Sequence, residues 1–520
     1  MLSRDANIRL FSIARKVYDS IAGFITDDLN KTFLMKRLVK NKGIYYSLLL
    51  IFILNACSKD LQPYDSKSNE VALVTPDDIQ IATFGNYSML VAEAYTRHLL
   101  TLNEWPGDNV VQSGADGDQA SLGASYRHIP GMYPTTDFWA QSYRLIYATN
   151  LIIERISDGE SVKLDQLKGE NLFLRAMAHF NLVRLFGRPY PQANGNNLGV
   201  PIKQNTDTED LPARNTVKEV YEFVIADLLK ASSLMTESKN SNFASKEVAE
   251  ALLSRVYLYM EDNKNAILYA NKVIESDRYQ LATTDVYIKA PTLVPESNPE
   301  TIFNIRHTIS DNKDKNAVGS LYYNDPVTLS TGWGEYYASQ ALMDLLNQYP
   351  QDARLKFITP HYINGVLQYR GTSPQYFINK YNWQEGIANL SSPVYLRLAE
   401  MYLNRAEANA KLGNLQEAIA DVNIIRRRAG LTGSAAYTTN DLKGRASVLA
   451  VVLEERRLEL AFEGQRAGDL FRNNLPLVRA YPGLHGTDNF NFRVEPTDAR
   501  VVYYIPEREV NVNPNLIQNP

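Results

Sequence analysis

Six residues of this sequence have the chemistry of a ligand-binding surface, and five of them stand in two polar, glycine-bearing segments, 103–109 and 331–337. They are Trp105, Asp108, Asn109, Trp333, Tyr336 and Arg370. An aromatic side chain in such a segment has few helical neighbours, so we expect its flat face to stack on a pyranose ring while the polar groups bind hydroxyls. The alternative is that each tryptophan plugs its own loop onto the body of the protein.

Catalytic and metal-binding patterns are missing from the sequence. The six histidines are scattered, without the spacing of zinc ligands. Asp116-Gly117-Asp118 begins like a calcium loop but lacks the later ligands, which favours a surface turn and leaves bound calcium undecided. Neither a G-x-S-x-G elbow nor a Walker loop occurs. We therefore predict no catalytic residue, no metal site and no cofactor.

A strongly charged stretch covers residues 454–466, Glu-Glu-Arg-Arg-Leu-Glu-Leu-Ala-Phe-Glu-Gly-Gln-Arg. Its charges alternate at helical spacings, which predicts ion pairs between residues i and i+4 and bidentate contacts to other helices. A glycosidase would need two of these carboxylates facing an open cleft at a set separation. Structural ion pairing is the better interpretation, because alternating charge on a helix is typical of a solvated or salt-bridged face.

Cys57 is the only cysteine, and it follows a short apolar run. Lys and Arg residues between 36 and 42 precede eight mostly apolar residues at 47–54, a run too short to span a bilayer, so residues 35–56 have the order of a secretory signal. Leu-Asn-Ala-Cys at 54–57 resembles the lipobox of bacterial lipoproteins, which implies acylation of Cys57. The charged residues at 58–60 resemble a surface-export tag of Bacteroidetes lipoproteins. The alternative for Cys57 is a buried free thiol.

The length and net charge of the chain limit its domain organisation and the kind of partner that it can bind. We expect residues 1–34 to be a misassigned extension and residues 57–520 to form a single domain. That part carries 45 Lys and Arg against 54 Asp and Glu, a net charge of −9, which argues against a nucleic-acid partner. Without a second cysteine the domain has no disulfide, so its stability must come from packing.

Apolar periodicity predicts a helix-dominated fold. Helices are expected over 75–100, 138–156, 167–186, 216–234, 246–276 with a break at 261–263, 399–428 and 442–471. Thr216 and Glu219 form a capping box at the start of one of them. Small and aromatic residues in 246–276 and 399–428 keep the spacing of tetratricopeptide helix pairs. We predict a helical part over 75–280, a loop-rich insertion with a few short strands over 281–392, and a helical repeat with an extended tail over 393–520.

Four motifs together resemble the RagB/SusD family of outer-membrane nutrient-binding lipoproteins. They are Gly-Glu-Asn-Leu-Phe-Leu-Arg-Ala at 169–176, Leu-Phe-Gly at 185–187, the charged stretch 454–466 and Asn-Pro-Asn-Leu-Ile-Gln-Asn-Pro at 513–520. The resemblance spans most of the chain after Cys57, in the expected order. One departure is Gly468, which stands before Asp469 where the family commonly has an aromatic residue.

The resemblance implies an all-α dominated, SusD-like fold with four tetratricopeptide-like helix pairs. It also implies a lipid-anchored, surface-facing protein that captures an oligosaccharide, or a peptide, and delivers it to a SusC-like TonB-dependent barrel in the outer membrane. Two other functions stay open at this point. One is a periplasmic tetratricopeptide-type scaffold that binds proteins, and the other is a glycoside hydrolase. The sugar itself is not predicted.

Overall fold

A computed structural model describes residues 73–112, 119–485 and 491–520. Its helices are α1 (Pro76–Leu90), α2 (Glu93–Glu104), α3 (Gln119–Ala124), α4 (Tyr133–Arg155), α5 (Val162–Phe186), α6 (Val217–Leu234), α7 (Lys246–Tyr259), α8 (Asn263–Ile274), α9 (Thr284–Lys289), α10 (Val318–Tyr322), α11 (Gln340–Leu346), α12 (Leu398–Leu412), α13 (Leu415–Arg428), α14 (Val448–Glu459), α15 (Arg466–Arg472) and α16 (Glu507–Val512). Its strands are β1 (Val110–Gln112), β2 (Thr301–Asn304), β3 (Tyr336–Ala338), β4 (Ile358–Pro360), β5 (Tyr362–Ile363), β6 (Val366–Leu367), β7 (Tyr369–Arg370), β8 (Ser373–Pro374), β9 (Tyr376–Ile378), β10 (Val394–Arg397), β11 (Leu477–Arg479) and β12 (Phe492–Val494). The helix-dominated fold class is therefore confirmed.

Several sequence predictions fall outside the described residues. The predicted extension 1–34, the signal 35–56, the lipidation site Cys57 and the calcium-like Asp116-Gly117-Asp118 all lie there. These stay predictions, as does the division of the rest of the chain at 75–280, 281–392 and 393–520. No helix of the described part combines the length and the apolar character needed to cross a membrane.

The N-terminal helices surround α5, which is buried on nearly all of its sides. Helices α4 and α6 pack against α5, and α6 begins with the predicted capping box of Thr216 and Glu219. The single helix predicted over 75–100 is wrong, because the backbone is extended at Ala92 and divides it into α1 and α2. The hydroxyl of Thr96 donates to the carbonyl of Leu90, an acceptor that the interrupted helix leaves free.

The predicted tetratricopeptide-like pairs are α7 with α8 and α12 with α13. Small residues let the paired helices approach closely: Ser254 and Ala266 are fully buried, and the Ser254 hydroxyl donates to the Ala266 carbonyl at 3.0 Å. Gly413 ends α12 in the left-handed conformation, with φ of 86°. The two pairs are far apart in sequence, yet α8 packs directly on α12. The loop-rich insertion therefore leaves and re-enters a continuous helical stack.

The insertion contains short antiparallel strand pairs rather than one large sheet. β2 pairs with β10, β4 with β9, β5 with β6, and β7 with β8, while β3 pairs with β1 from the N-terminal part. The insertion contains β2, over Thr301–Asn304, and the short helix α11, over Gln340–Leu346. The helix predicted over 442–471 is divided into α14 and α15, because Phe462 and Gly464 adopt positive φ angles of 72° and 71°.

The charged stretch 454–466 is buried, and its ion pairs run to other elements. Glu459, fully buried in α14, receives the guanidinium groups of Arg397 and Arg428, and Arg354 lies 3.9 Å away. The hydroxyl of Tyr287 donates to the same carboxylate at 3.3 Å. The prediction of cross-helix pairing is confirmed, whereas the predicted i to i+4 pairing is wrong, since these side chains point into the protein and not along a solvated face.

A second buried group joins α12, α14 and α15. Arg472 forms a bidentate pair with Glu407, at 2.5 and 2.6 Å, and Arg456 binds Asp469 at 3.1 Å. Burial alone would raise the pKa of Glu407, but Arg472 and Arg456 hold it well below its usual range. All four side chains are ionised at neutral pH. Each buried charge is stable only because its oppositely charged partners are in place.

Glu459→Gln tests how much this network contributes to stability. Burial opposes ionisation of Glu459, but Arg428, Arg397 and Arg354 lower its pKa from 4.5 to about 2. Its contribution is therefore present above pH 4.5 and is lost as the pH falls toward 2. We expect the variant to lose about 3–5 kcal/mol of unfolding free energy at pH 7, because it leaves buried guanidinium groups unpaired.

Urea unfolding at several pH values measures this loss, and the difference from wild type should shrink steadily below pH 4.5. Glu495→Gln is the control, because its pair with Arg493 is exposed. A difference that stays constant down to pH 2 would contradict the role given to Glu459.

Candidate functional site

The two tryptophan-bearing segments lie next to each other in the structure. β1, just after Trp105, pairs with β3, just after Trp333, so that Gln112 lies opposite Tyr336. The Ser339 amide donates to the Asn109 carbonyl at 2.8 Å and extends the pairing. The segments 103–109 and 331–337 therefore belong to one part of the molecule.

Trp105 is a structural plug rather than an open stacking surface. Its side chain is 2% exposed and lies against the ring of Tyr336, which is 1% exposed, with centroids 3.6 Å apart and planes 12° from parallel. The indole Nε1 donates to the hydroxyl of Tyr322 at 3.1 Å. The prediction that Trp105 and Tyr336 present free faces to a ligand is wrong, because each ring uses its face to cover the other.

Asp108 and Asn109 are also buried, and their polar groups are engaged within the protein. Arg466 binds Asp108 bidentately, at 2.7 and 3.0 Å, and Arg457 donates to the Asn109 side-chain oxygen at 2.9 Å. Burial alone would raise the pKa of Asp108, but Arg457 and Arg466 hold it well below its usual range. The expectation that Asp108 and Asn109 bind ligand hydroxyls is wrong for this structure, since both anchor the loop to α14 and α15.

Glu104 completes the attachment of this loop. Its carboxylate accepts hydrogen bonds from the backbone amides of Phe462 and Gly464, at 3.0 and 2.7 Å, and from the Asn109 side chain at 3.2 Å. Burial raises the pKa of Glu104 to about 7, despite these donors. The segment 103–109 is thus fixed to the turn between α14 and α15. Sequence reasoning missed Glu104, because its partners lie far away in the chain.

Trp333 is the tryptophan that faces solvent, with 51% of its side chain exposed. Its indole Nε1 donates to the Lys315 carbonyl at 3.0 Å, and the Lys315 ammonium lies 5.0 Å from the ring centroid. The flanking glycines fix the loop, since a Cβ at Gly332 would lie 2.1 Å from the Tyr323 carbonyl oxygen and Gly334 has a positive φ of 53°. Trp333 is therefore held outward by a tightly packed backbone, with ring surface left for stacking.

Arg370 is exposed at the end of β7, within a meander of tyrosine-bearing strands over residues 358–378. A dipeptide of His or Gln followed by Tyr recurs every seven residues in this meander, at 361–362, 368–369 and 375–376. The three leading residues close a ring of backbone hydrogen bonds, from 361 to 375, from 368 to 361 and from 375 to 368, at 2.9, 2.8 and 3.0 Å. Tyr362 and Tyr369 are 56% and 60% exposed. The spacing was readable in the sequence and is the signal that could have identified these tyrosines.

The meander packs against the loop that carries Trp333. The ring of Phe377 contacts Tyr323 and Tyr337, with centroids 6.0 and 5.5 Å apart. The Gln375 side chain donates to the Tyr337 hydroxyl at 3.0 Å. Trp333, Arg370 and the exposed tyrosines therefore belong to one packed, loop-rich region and form the candidate ligand-binding surface. The described residues contain no cluster of three or more His, Cys, Asp and Glu side chains suited to a metal ion.

Comparison with known proteins agrees with this architecture. The family model described as "Starch-binding associating with outer membrane" matches residues 60–258, and the model of the SusD family matches residues 348–520. The chain is 25% identical to SusD-like protein P38 of Formosa agariphila, over 92% of this chain and 99% of that protein. The crystal structure of a SusD superfamily protein from Bacteroides thetaiotaomicron is 30% identical with a TM-score of 0.77, covering 86% of this chain and 100% of the other. Another, from Bacteroides vulgatus, is 27% identical with a TM-score of 0.73, covering 86% and 99%. With its helical stack, its loop-rich region and these matches along most of its length, the chain belongs to the SusD/RagB family.

Proposed function

We propose that this protein is a surface-exposed outer-membrane lipoprotein that captures an oligosaccharide and delivers it to a SusC-like TonB-dependent barrel. The observation that carries the binding role is Trp333, a half-exposed indole on a glycine-fixed loop within a region that also exposes Tyr362, Tyr369 and Arg370. Flat aromatic faces beside hydrogen-bond donors suit the apolar faces and hydroxyls of sugar rings. The family description of starch binding and outer-membrane association supports the same role.

The role is binding rather than catalysis. The buried acids of α14 and α15 are bound by arginines, so they do not offer a carboxylate pair to an open cleft. If the purified protein released reducing ends from an oligosaccharide, a glycoside hydrolase function would have to be considered again. Digestion by proteinase K on intact cells separates the surface protein from a periplasmic scaffold, which would be protected.

Replacing Trp333 with Ala should weaken oligosaccharide binding while leaving stability nearly unchanged. Loss of one stacking face costs roughly 1–3 kcal/mol, or about tenfold or more in Kd. Calorimetry should use the tightest binder from a panel of neutral oligosaccharides that begins with maltoheptaose. Trp105→Ala is the matched contrast, because it removes the same side chain from a buried stack and should cost about 3–5 kcal/mol of unfolding free energy.

Arg370→Gln should also weaken binding, because it removes an exposed donor from the same region. A fall in melting temperature for Trp333→Ala with unchanged affinity would show that its indole plugs the loop. Unchanged affinity in both Trp333→Ala and Arg370→Gln would remove this surface from the proposal.

The proposed anchor makes a separate prediction. Cys57→Ala should abolish acylation and release the protein from membranes, because acyl chains contribute about 0.8 kcal/mol per buried CH₂ and the variant has no thiol to carry them. Metabolic labelling with a fatty acid and a carbonate wash of membranes measure the effect, with Ser58→Ala as the neighbouring control. A Cys57→Ala protein that stays in washed membranes would contradict lipid anchoring.

The proposed partner can be tested by affinity purification. We expect a tagged copy to recover an outer-membrane barrel after detergent extraction, through the helical stack, because stable interfaces of this kind bury roughly 2,000 Å² or more. Trp333→Ala should recover the barrel as well as wild type, since its side chain lies in the loop-rich region. Purification that yields no outer-membrane barrel would count against the delivery role while leaving sugar binding intact.

A further inference from the structure

An open cleft lies where α2, α5 and α15 meet the segment before α16. Its wall includes Arg184, Arg188 and Tyr190 from the end of α5 and the turn after it, Ala467 and Gly468 from α15, and Tyr503. The cleft is separate from Trp333 and from the tyrosine meander, none of which lines it.

Two guanidinium groups in this cleft have unused hydrogen-bond donors. Arg184 donates from one nitrogen to the Gly464 carbonyl at 2.9 Å and to the Tyr259 hydroxyl at 3.3 Å. Arg188 makes only long contacts, to the Gln192 side-chain oxygen at 3.3 Å and the Thr497 carbonyl at 3.4 Å. Each guanidinium carries five donors, and neither forms an ion pair with a carboxylate among the described residues. Both are therefore free to bind an anionic group.

The other two arginines that line the cleft, Arg472 and Arg500, are paired with carboxylates. Arg472 is held by Glu407 and Asp469, and Arg500 is held bidentately by Asp498 at 2.9 and 2.6 Å. Asp498 also lies near Arg188, but its pKa is lowered first by its hydrogen bond to Arg500 and only least by Arg188. Among the described residues, Arg184 and Arg188 are thus the arginines of this cleft that form no salt bridge with a carboxylate.

His128 also lies on the wall of the cleft and adds no positive charge to it. It is 9% exposed, and its Nε2 lies 3.0 Å from the Val502 carbonyl, so Nε2 must carry the proton. Its Nδ1 is buried and has no partner in the described structure, which leaves it as an acceptor. Because burial lowers the pKa of His128 to about 4, the ring is neutral at physiological pH.

Two small residues of α15 border the space in the cleft. Gly468 lines the cleft, and Ala467 beside it is also small. A Cβ at Gly468 would lie 3.1 Å from the Tyr259 hydroxyl, so the glycine allows close packing and leaves the adjoining volume open. An aromatic side chain at this position would occupy the cleft.

We propose that this cleft is a second binding site, for a sugar acid. The carboxylate of the ligand binds the free donors of Arg184 and Arg188. These two arginine charges favour the carboxylate over a neutral sugar. The choice of a sugar over another hydroxylated acid rests on the proposed glycan-binding function, whereas the site itself does not.

Calorimetric titration of the purified protein with sodium D-glucuronate tests the site, with D-glucose and sodium sulfate as comparison ligands. We expect glucuronate to bind at least tenfold more tightly than either. Arg188→Gln should weaken glucuronate binding at least tenfold, and Gly468→Phe should abolish it. The double variant Asp498→Asn with Arg500→Gln is the matched control, because it removes a neutral ion pair from the same cleft, and it should change Kd less than twofold.

Each outcome decides the proposal. Absence of glucuronate binding to the wild-type protein, equal binding of glucose, or equal binding of sulfate would overturn it, the last by showing a pocket for any anion. Equal losses in Arg188→Gln and in the double variant Asp498→Asn with Arg500→Gln would indicate a general disturbance of the cleft and overturn it as well. If Gly468→Phe fails to fold, Arg188→Gln decides alone. Binding of neutral oligosaccharides at Trp333 is measured separately, so failure of one site is distinguishable from failure of the other.

Discussion

The structure depends on charges that are buried and must therefore be paired. Removing an ion from water costs several kcal/mol, and the cost is offset only when every partner is in place. The Glu459 carboxylate pairs with arginines from three segments: Arg354 after α11, Arg397 in β10 and Arg428 at the end of α13. These segments lie far apart in the sequence. Since none of the charges can be left alone, the network fixes how the loop-rich insertion sits on the helical stack.

The same network explains why the predicted ligand residues divide into two groups. Arg457 and Arg466 extend the buried charges to Asp108 and Asn109, and Glu104 binds the turn between α14 and α15. The first group is buried and structural, and it supports the loops above it. It consists of Trp105, Asp108, Asn109 and Tyr336. Trp333 and Arg370 stand beyond it, where side chains are free to vary without disturbing a buried charge. Because the buried residues hold the backbone of the binding loops in place, less conformational entropy of the protein is lost when a ligand binds.

In the tyrosine meander, backbone hydrogen bonds position the exposed aromatic rings, whereas Trp333 lies on a loop between two glycines. Its seven-residue spacing brings three equivalent backbone positions together in a closed ring of hydrogen bonds, and the following tyrosines emerge beside one another. Burial and the neighbouring Tyr362 and Tyr369 raise the pKa of Tyr376, in keeping with this grouping. Strands of two or three residues are rarely stable alone, so the packing of Phe377 against Tyr323 and Tyr337 holds the meander in place.

The sequence by itself determined the features that depend on neighbouring residues. Apolar periodicity identified most of the helices, Thr216 and Glu219 identified a helix start, and four motifs identified the family. The outward direction of Trp333 and the inward direction of Trp105 were decided only by the tertiary structure, although both lie in similar polar segments. The reason is that exposure depends on which distant groups reach a side chain. Tyr336 and Tyr322, more than two hundred residues away, cover Trp105, whereas the backbone of Trp333 packs closely at its flanking glycines and its indole is left half exposed.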